Sequence, residues 1–471
     1  MKILLVTPEA LPYCKSGGLG DFIYSYGKAL KEENQNVDVI LPYYNCIKYN
    51  YPETNKEIYD KFDFDMGSHN QGCTVYFANL NGINFYFTCM DRFERDGMYG
   101  YYDDTERFAC FMMAVNTFIT RHNDYDVVHC NDWQSAVLPL LLHYNPRYSQ
   151  IKTVLTIHNP AYQGWARRED VYNFFKLDTN YFDSGYCELS SCFNYLKTGI
   201  MASKKVNTVS KTHAKELMND HDGFSKIGSI IDYCKHNDFT GIVNGLDTTL
   251  WNPETDDKIA CNYNIHTYKE GKAKNKEEIL KRLSMDSNFK GPLISAITRL
   301  SEQKGVDRLI QVLPYLKQYD ARYIVIGTGE KEDEFLYNAL QYKEVYFVKN
   351  YDENLAHLLY AASDYFLMPS YFEPCGTSQL ISMRYGTIPI VSSVGGLNDT
   401  VKDMSCYKEA TGYVFNNSDP SAFISCFRSA MDFYLSDDPF INTVIENGMK
   451  GDYSWKKSCK EYLDLYNSIS W

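Results

Sequence analysis

Short apolar runs bounded by turn residues recur along the whole chain. The first series reads "KILLV" at the start, then "VDVILP" (37–42), "DVVHC" (126–130), "TVLTIH" (153–158), "VNTVS" (206–210) and "GIVN" (241–244). The second reads "LISAITRL" (293–300), "RYIVIGTG" (322–329), "VYFVK" (345–349), "YFLMPS" (365–370) and "IPIVSS" (388–393). Runs of this length predict strands buried on both faces. Most are separated by stretches with helical spacing, such as "TERFACFMMAVNTFITRH" (105–122). Strands alternating with helices predict doubly wound parallel sheets, an α/β fold. "TVYFANL-NG-INFYFTC" (74–89) breaks the scheme, because Asn81-Gly82 between two apolar runs predicts an antiparallel hairpin with a two-residue turn.

A polar segment containing "NKEEILKRL", roughly 252–290, separates the two series. It puts a boundary near 242–250 and divides the chain into halves 1–241 and 242–454 that face a cleft. Ligands of such sheets bind beyond the carboxyl ends of the strands. Strand-end loops are therefore where chemistry is expected.

The formal net charge of −13 excludes nucleic acid and an anionic membrane as main partners, since both need a basic footprint. An anionic small ligand stays possible where cations are gathered locally. Fourteen cysteines form no Cys-x-x-Cys pair, which predicts reduced thiols packed as small hydrophobes in a cytoplasmic protein. The opening apolar run is cut by Thr7, Pro8 and Glu9, too soon for a secretory or membrane segment, and reads as the first buried strand.

Two loops look costly without a ligand. "KSGGLGD" puts Lys15 and the glycines 17, 18 and 20 before a helix that begins near Asp21, a place where free amides and a lysine can bind an anion. A merely flexible turn with an incidental lysine stands equally open. In the second half, Arg299 and Lys304 follow one strand, and Glu373-Pro374-Cys375-Gly376-Thr377 follows another and opens a helix. Taken together they predict a metal-free diphosphate site. His158-Asn159 and Asp132-Trp133 also sit at strand ends. A carboxylate beside an aromatic suits a sugar, and a buried core tryptophan is the equal alternative. Asp63/Asp65 precede a Gly/Ser/Asn-rich stretch, Asp124/Asp126 lie at the wrong end of a strand, and both pairs read as solvated charges. With no His-x-x-x-His pair either, no metal is expected.

"KSGGLGD", "TIHNPAYQG", "GIVNGLDTTLWNP", "TRLSEQKG" and "FEPCGTSQL", in this order and spacing, resemble the bacterial and plant glycogen and starch synthases, glycosyltransferase family 5. The likeness runs from residue 1 to the closing "SWKKSCKEYLDLY". It implies a GT-B fold of two Rossmann-like domains, with the final segment 455–471 crossing back onto the first. It also implies retaining transfer of glucose from ADP-glucose to the non-reducing end of an α-1,4-glucan such as glycogen, releasing ADP, with no metal or other cofactor. An open cleft hinged near 242–250 and 450–456 would close around the donor.

Carried over by motif, the resemblance gives Lys15, Gly17 and Gly18 to the sugar-diphosphate. Arg299 and Lys304 would hold the diphosphate, Glu373 would lie at the donor, and the amides of Cys375, Gly376 and Thr377 would hold sugar hydroxyls or phosphate. His158 would contact the glucose, with Asp21, Asp132, Trp133, Asn159 and Asn244 on the glucose or acceptor side. Tyr351 would stack on adenine. The sequence departs from the family pattern at Ser16 for Thr, at Tyr371 for Arg and in "CGTSQ" for "CGLTQ". Ile381 stands where the wider GT-B pattern has a second glutamate.

Overall fold

The computed structural model describes residues 1–220 and 226–470. The chain forms two compact units, one of Met1–Gly245 with Trp455–Trp471 and one of Leu246–Ser454. The first unit therefore continues past Gly241 to Gly245. Trp471, the end of the segment expected to return to it, lies outside the described residues.

The strands of the first unit are β1 (Lys2–Val6), β2 (Asn36–Pro42), β3 (Ile58–Met66), β4 (His69–Leu80), β5 (Ile83–Cys89), β6 (Val127–Asn131), β7 (Lys152–Ile157), β8 (Trp165–Ala166), β9 (Glu188–Leu189), β10 (Cys192–Asn194), β11 (Lys205–Thr208) and β12 (Thr240–Gly241). A nine-stranded sheet runs in the order β12-β11-β7-β6-β1-β2-β5-β4-β3. It is parallel from β12 to β5. The hairpin β4–β5 then turns at Asn81 (φ 53°) and Gly82 (φ 79°), with Leu80 opposite Ile83. Positive φ at both positions is what a type I′ turn requires.

Three features differ from the sequence reading. β3 pairs antiparallel with β4 and alternates, with Phe62, Phe64 and Met66 inward and Asp63 and Asp65 outward. The Gly/Ser/Asn-rich stretch after it is therefore a short turn at Gly67-Ser68, and the chain is a strand again from His69. "GIVN" contributes only Gly241, the second residue of β12. The strands β8, β9 and β10 form a separate small sheet, each too short to show a period.

The helix Gly18–Glu32 buries Phe22, Ile23, Tyr26, Ala29 and Leu30, a helical stripe that fixes where the preceding turn sits. The helix Trp455–Asn467 buries Trp455, Cys459, Tyr462 and Tyr466 in the same apolar core as β1, β6 and β7. A chain of buried hydrogen bonds ties it in. Tyr26 Oη donates to Tyr466 Oη (2.7 Å), which meets His129 Nδ1 (2.7 Å); His129 Nε2 meets Thr156 Oγ1 (2.6 Å). Thr156 Oγ1 then donates to Asn207 Oδ1, and Asn207 Nδ2 donates to Tyr462 Oη. Burial lowers His129 to about 3, so its ring is neutral and carries one N–H.

The second unit holds β13 (Leu293–Ile297), β14 (Arg322–Gly327), β15 (Val345–Lys349), β16 (Tyr365–Met368), β17 (Ile388–Ser392) and β18 (Tyr413–Phe415), the last not read from sequence. Their order is β15-β14-β13-β16-β17-β18, all parallel. Each large sheet thus reverses its winding beside its first strand, between β1 and β6 in one unit and between β13 and β16 in the other. Crevices at such reversals are where doubly wound sheets bind ligands. The loops after these four strands carry Lys15, Asp132, Arg299 and Glu373.

Candidate active site

In the first unit the turn after β1 is built around a residue that sequence reasoning passed over. Glu9 is 2% exposed, and its carboxylate accepts from Ser16 N (2.6 Å), Ser16 Oγ (2.9 Å) and Gly20 N (3.2 Å). Burial raises its pKa, against the lowering by these donors. Lys15 Nζ lies 3.1 Å and 3.2 Å from the two carboxylate oxygens of Asp21. The three glycines are not equivalent. A Cβ on Gly20 would meet Lys15 Cβ at 2.7 Å, so the turn needs that glycine to close. Gly17 and Gly18 would meet nothing within 4 Å, and Gly17 has an extended backbone that any residue adopts. Nothing in the fold demands glycine at these two positions, and no side chain caps the helix there.

The loops after β6 and β7 are joined through Asp132. Its Oδ1 accepts from the amides of His158 (2.7 Å) and Asn159 (3.2 Å), and burial raises its pKa to about 7. Asp132 sits at φ 56° and ψ −176°, outside the left-handed helical region and in one used almost only by glycine, so its backbone is strained at this loop. His158 Nε2 meets Asn131 Oδ1 at 2.9 Å, and its ring packs edge-on against Phe22 at 4.6 Å. Burial lowers His158 to about 3, which leaves a neutral imidazole at working pH. Asn159 Oδ1 accepts from Ala161 N and shapes its own turn. Trp133 takes the core alternative. It is 8% exposed, packs against Phe108 and Tyr195, and leaves room for no Cβ on Gly164 (2.4 Å). Asn244 is half-buried, and its Oδ1 has no hydrogen-bond partner among the described residues.

In the second unit Arg299 is exposed, and no carboxylate among the described residues pairs with it. Lys304 Nζ lies 2.5 Å from Glu373 Oε2, with side chains only 17% and 7% exposed, and Ser370 Oγ donates to the same oxygen (3.1 Å). Gly327 and Gly329 make space for the Thr298–Leu300 backbone, whose carbonyls a Cβ would meet at 2.0 and 2.3 Å. That close packing accounts for this Gly-x-Gly pair without a cofactor.

The 373–377 turn is laid on bare backbone. A Cβ on Gly395 would come within 2.0 Å of the Glu373 carbonyl, and one on Gly396 within 2.0 Å of the Cys375 carbonyl. The Gly396 amide donates to the Glu373 and Pro374 carbonyls, and Gln379 Nε2 donates to the carbonyls of Cys375 and Gly376. These bonds occupy the turn's carbonyls and hold Thr377 at the start of the helix Ser378–Arg384. Cys375 is buried and Gly376 has φ 72°. Tyr351 is 52% exposed, after β15.

Comparison with known proteins gives this arrangement a lineage. A family described as "Starch synthase catalytic domain" matches residues 2–232, and one described as "Glycosyl transferases group 1" matches residues 280–450. The glycogen synthase of Exiguobacterium sibiricum is 39% identical over all of this chain and 99% of its own length. That of Caldicellulosiruptor saccharolyticus is 38% identical over the whole of both. The chain belongs to the glycogen and starch synthase family. The catalytic domain of starch synthase IV from Arabidopsis thaliana, solved bound to ADP and acarbose, superposes with a TM-score of 0.89 at 30% identity, covering 99% of this chain and 98% of that one. The two units are accordingly the two Rossmann-like domains of a GT-B glycosyltransferase.

Two of the departures from the family motifs find local explanations. Ser16 supplies the one hydroxyl that Glu9 needs, as threonine would. Tyr371 lays its ring against the Arg308 guanidinium (3.7 Å) and donates Oη to Asp307 (2.7 Å), so the loop is anchored without the family's arginine. Among the described residues no cluster of three His, Cys, Asp or Glu is placed to hold a metal ion, and no helix is long and apolar enough to cross a membrane.

Proposed function

We propose that this chain is a glycogen or starch-type synthase, transferring glucose from ADP-glucose to the non-reducing end of an α-1,4-glucan with retention at the anomeric carbon. The carrying observation is the placement of its cations. In a chain of net charge −13, Lys15, Arg299 and Lys304 all follow strands that border a winding reversal. The relative solved with ADP and acarbose holds a nucleotide and a glucan mimic, which supports the same pair of ligands here.

Breaking the bond between glucose and diphosphate builds negative charge on ADP. Arg299 and Lys304 meet that charge, and preorganised donors aimed at developing charge are usually the largest catalytic contribution. Lys304 is already oriented by Glu373, so it loses little freedom on binding. Lys15 exchanges Asp21 for the donor's phosphate, and the bare Gly17-Gly18 backbone lets the diphosphate approach. The amides of Cys375, Gly376 and Thr377 hold sugar hydroxyls or phosphate, and Tyr351 stacks on adenine. Neutral His158 positions glucose by hydrogen bonding, while Asp132, through the His158 and Asn159 amides, fixes that loop. Asp21 and Asn244 lie on the glucose or acceptor side.

Retaining hydrolases use a carboxylate nucleophile beside the anomeric carbon. Asp132 is the carboxylate bonded to the His158 loop, and its Oδ1 is occupied by two amides. We therefore favour front-face attack through a short-lived oxocarbenium ion, with the leaving phosphate taking the acceptor's proton. A covalent glucosyl adduct trapped on Asp132 overturns this step.

The deciding assay is ADP release from ADP-glucose with a malto-oligosaccharide acceptor, beside arms with UDP-glucose and with a chelator. Chelator-resistant, acceptor-dependent ADP release with a lengthened glucan is expected. Faster turnover with UDP-glucose overturns the donor assignment. No release from either donor leaves a glucan- or nucleotide-binding protein.

A further inference from the structure

Behind the Lys15 turn lies a cavity of about 380 Å³, lined among others by Tyr13, Cys14, Lys15, Cys46, Tyr51 and Asp96. Two thiols share it. Cys14 is buried and adjoins Lys15 in sequence, and a bond from its amide to the Ala10 carbonyl (3.0 Å) closes the loop ahead of the turn. Cys46 is half-buried on the short helix Asn45–Asn50 and lines the same cavity. The proposed chemistry uses neither sulfur.

Both thiols line this one cavity, and the neighbouring thiol lowers Cys46 to about 7, while burial pushes Cys14 well up. This is an unequal pair. A partly exposed thiol with a pKa near ambient pH is the best attacking nucleophile, and a neighbouring thiol can resolve what it forms. All fourteen cysteines of the chain are free, so no disulfide already constrains this region.

We propose that Cys14 and Cys46 form a peroxide-reactive modification site whose oxidation resets the Lys15 turn. The Cys46 thiolate attacks a hydroperoxide, breaking the O–O bond, to give Cys46 sulfenic acid and an alcohol or water. The Cys14 thiol then displaces water from that sulfur, forming the Cys14–Cys46 disulfide. Sulfur loses two electrons in all, and the peroxide oxygen gains them. A dithiol reductant reverses the change. The disulfide draws the sulfurs to about 2.05 Å and moves Cys14 towards the Asn45–Asn50 helix. Lys15 is the next residue, and a displacement near 1 Å at a binding group costs rate steeply.

The effect on rate rests on the synthase reading above, whereas the cross-link does not. The test treats the reduced, full-length protein with hydrogen peroxide, then follows peptide mass and glucosyl transfer in parallel. A linked Cys14–Cys46 peptide is expected, with a transfer rate lower by about tenfold or more and recovery on adding dithiothreitol. Cys46→Ser should keep the reduced enzyme's rate and resist peroxide. Absence of the linked peptide overturns the site. Equal peroxide sensitivity of Cys46→Ser, or a link without loss of rate, overturns its coupling to Lys15. A reduced enzyme with no transfer at all sinks the synthase reading, and the linked peptide still decides the modification site.

Discussion

Two lysine–carboxylate pairs, one in each unit, invite comparison. Lys15–Asp21 is open, with both side chains about two-fifths exposed and contacts of 3.1 and 3.2 Å. Lys304–Glu373 is closed, at 2.5 Å with 17% and 7% exposure, and it is braced by Ser370. An exposed pair contributes about 0–1 kcal/mol and is readily exchanged for a phosphate. A buried pair is a fixed fixture, because removing one partner strands the other charge. The first is suited to a group that must change partners during turnover. The second is suited to one that must already be in place.

Breaking the closed pair should have the largest effect. Lys304→Met is expected to lower stability by about 3–5 kcal/mol, as Glu373 is left buried alone. The transfer rate should fall by about 10²–10³, the loss typical of one aimed donor. Adding Glu373→Gln should recover much of the urea midpoint and none of the rate. Recovery of both would make the pair structural only.

The glycines come next. Gly20→Ala should cost about 1–3 kcal/mol, because its Cβ overpacks the Lys15 side chain. Gly17→Ala, in open space, should stay within about 0.5 kcal/mol of wild type. It should nevertheless raise the KM for the donor. Thermal unfolding and donor titration of the two variants separate closure of the turn from access to it.

Acid titration probes the loop beneath the open pair. Asp132 is raised from the ordinary carboxylate range to about 7, so the folded state binds its proton more tightly than the unfolded chain does. Its contribution is complete below about pH 4 and is lost as pH rises to about 7. His129 and His158, both lowered to about 3, act oppositely below about pH 6.5. The informative quantity is therefore the wild-type minus Asp132→Asn difference in urea midpoint, which should fall from pH 4 to pH 7. A flat difference would mean that Asp132 stays ionised throughout.

The smallest stability change belongs to the open pair itself. Lys15→Met should move the unfolding midpoint by less than about 1 kcal/mol, while weakening donor binding. A large stability loss there would erase the contrast between the two pairs.

The sequence made the parts of this site legible one at a time, each by a local signal. Asn81-Gly82 announced its hairpin, and the unalternated runs announced the parallel strands. Lys15, Arg299, Lys304 and Glu373 stood out because they follow such runs. What stayed hidden depends on distant backbone. Glu9 looks like a polar stop to an apolar run, and only the folded turn returns Ser16 and Gly20 to its carboxylate. Gly395 and Gly396 went unread in sequence, because only the fold lays the Glu373 and Cys375 carbonyls on them. β3 was missed because Asp60, Asp63 and Asp65 outweighed the period-two pattern of Phe62, Phe64 and Met66. Trp133 shows the converse, a residue type that suits sugars and is used here to fill a core.

The buried chain from Tyr26 through Tyr466, His129, Thr156 and Asn207 to Tyr462 also has a temporal consequence. Its Tyr26–Tyr466 link spans 440 residues of sequence. A ribosome delivers β6, β7 and β11 early, yet the tyrosines that complete their hydrogen bonds emerge last. Leu246–Ser454 is contiguous and can fold as it leaves the tunnel, while the earlier unit waits with His129 and Asn207 lacking their tyrosine partners. Order of synthesis and order of completion are thus inverted, and the first unit to be made is the last to be finished.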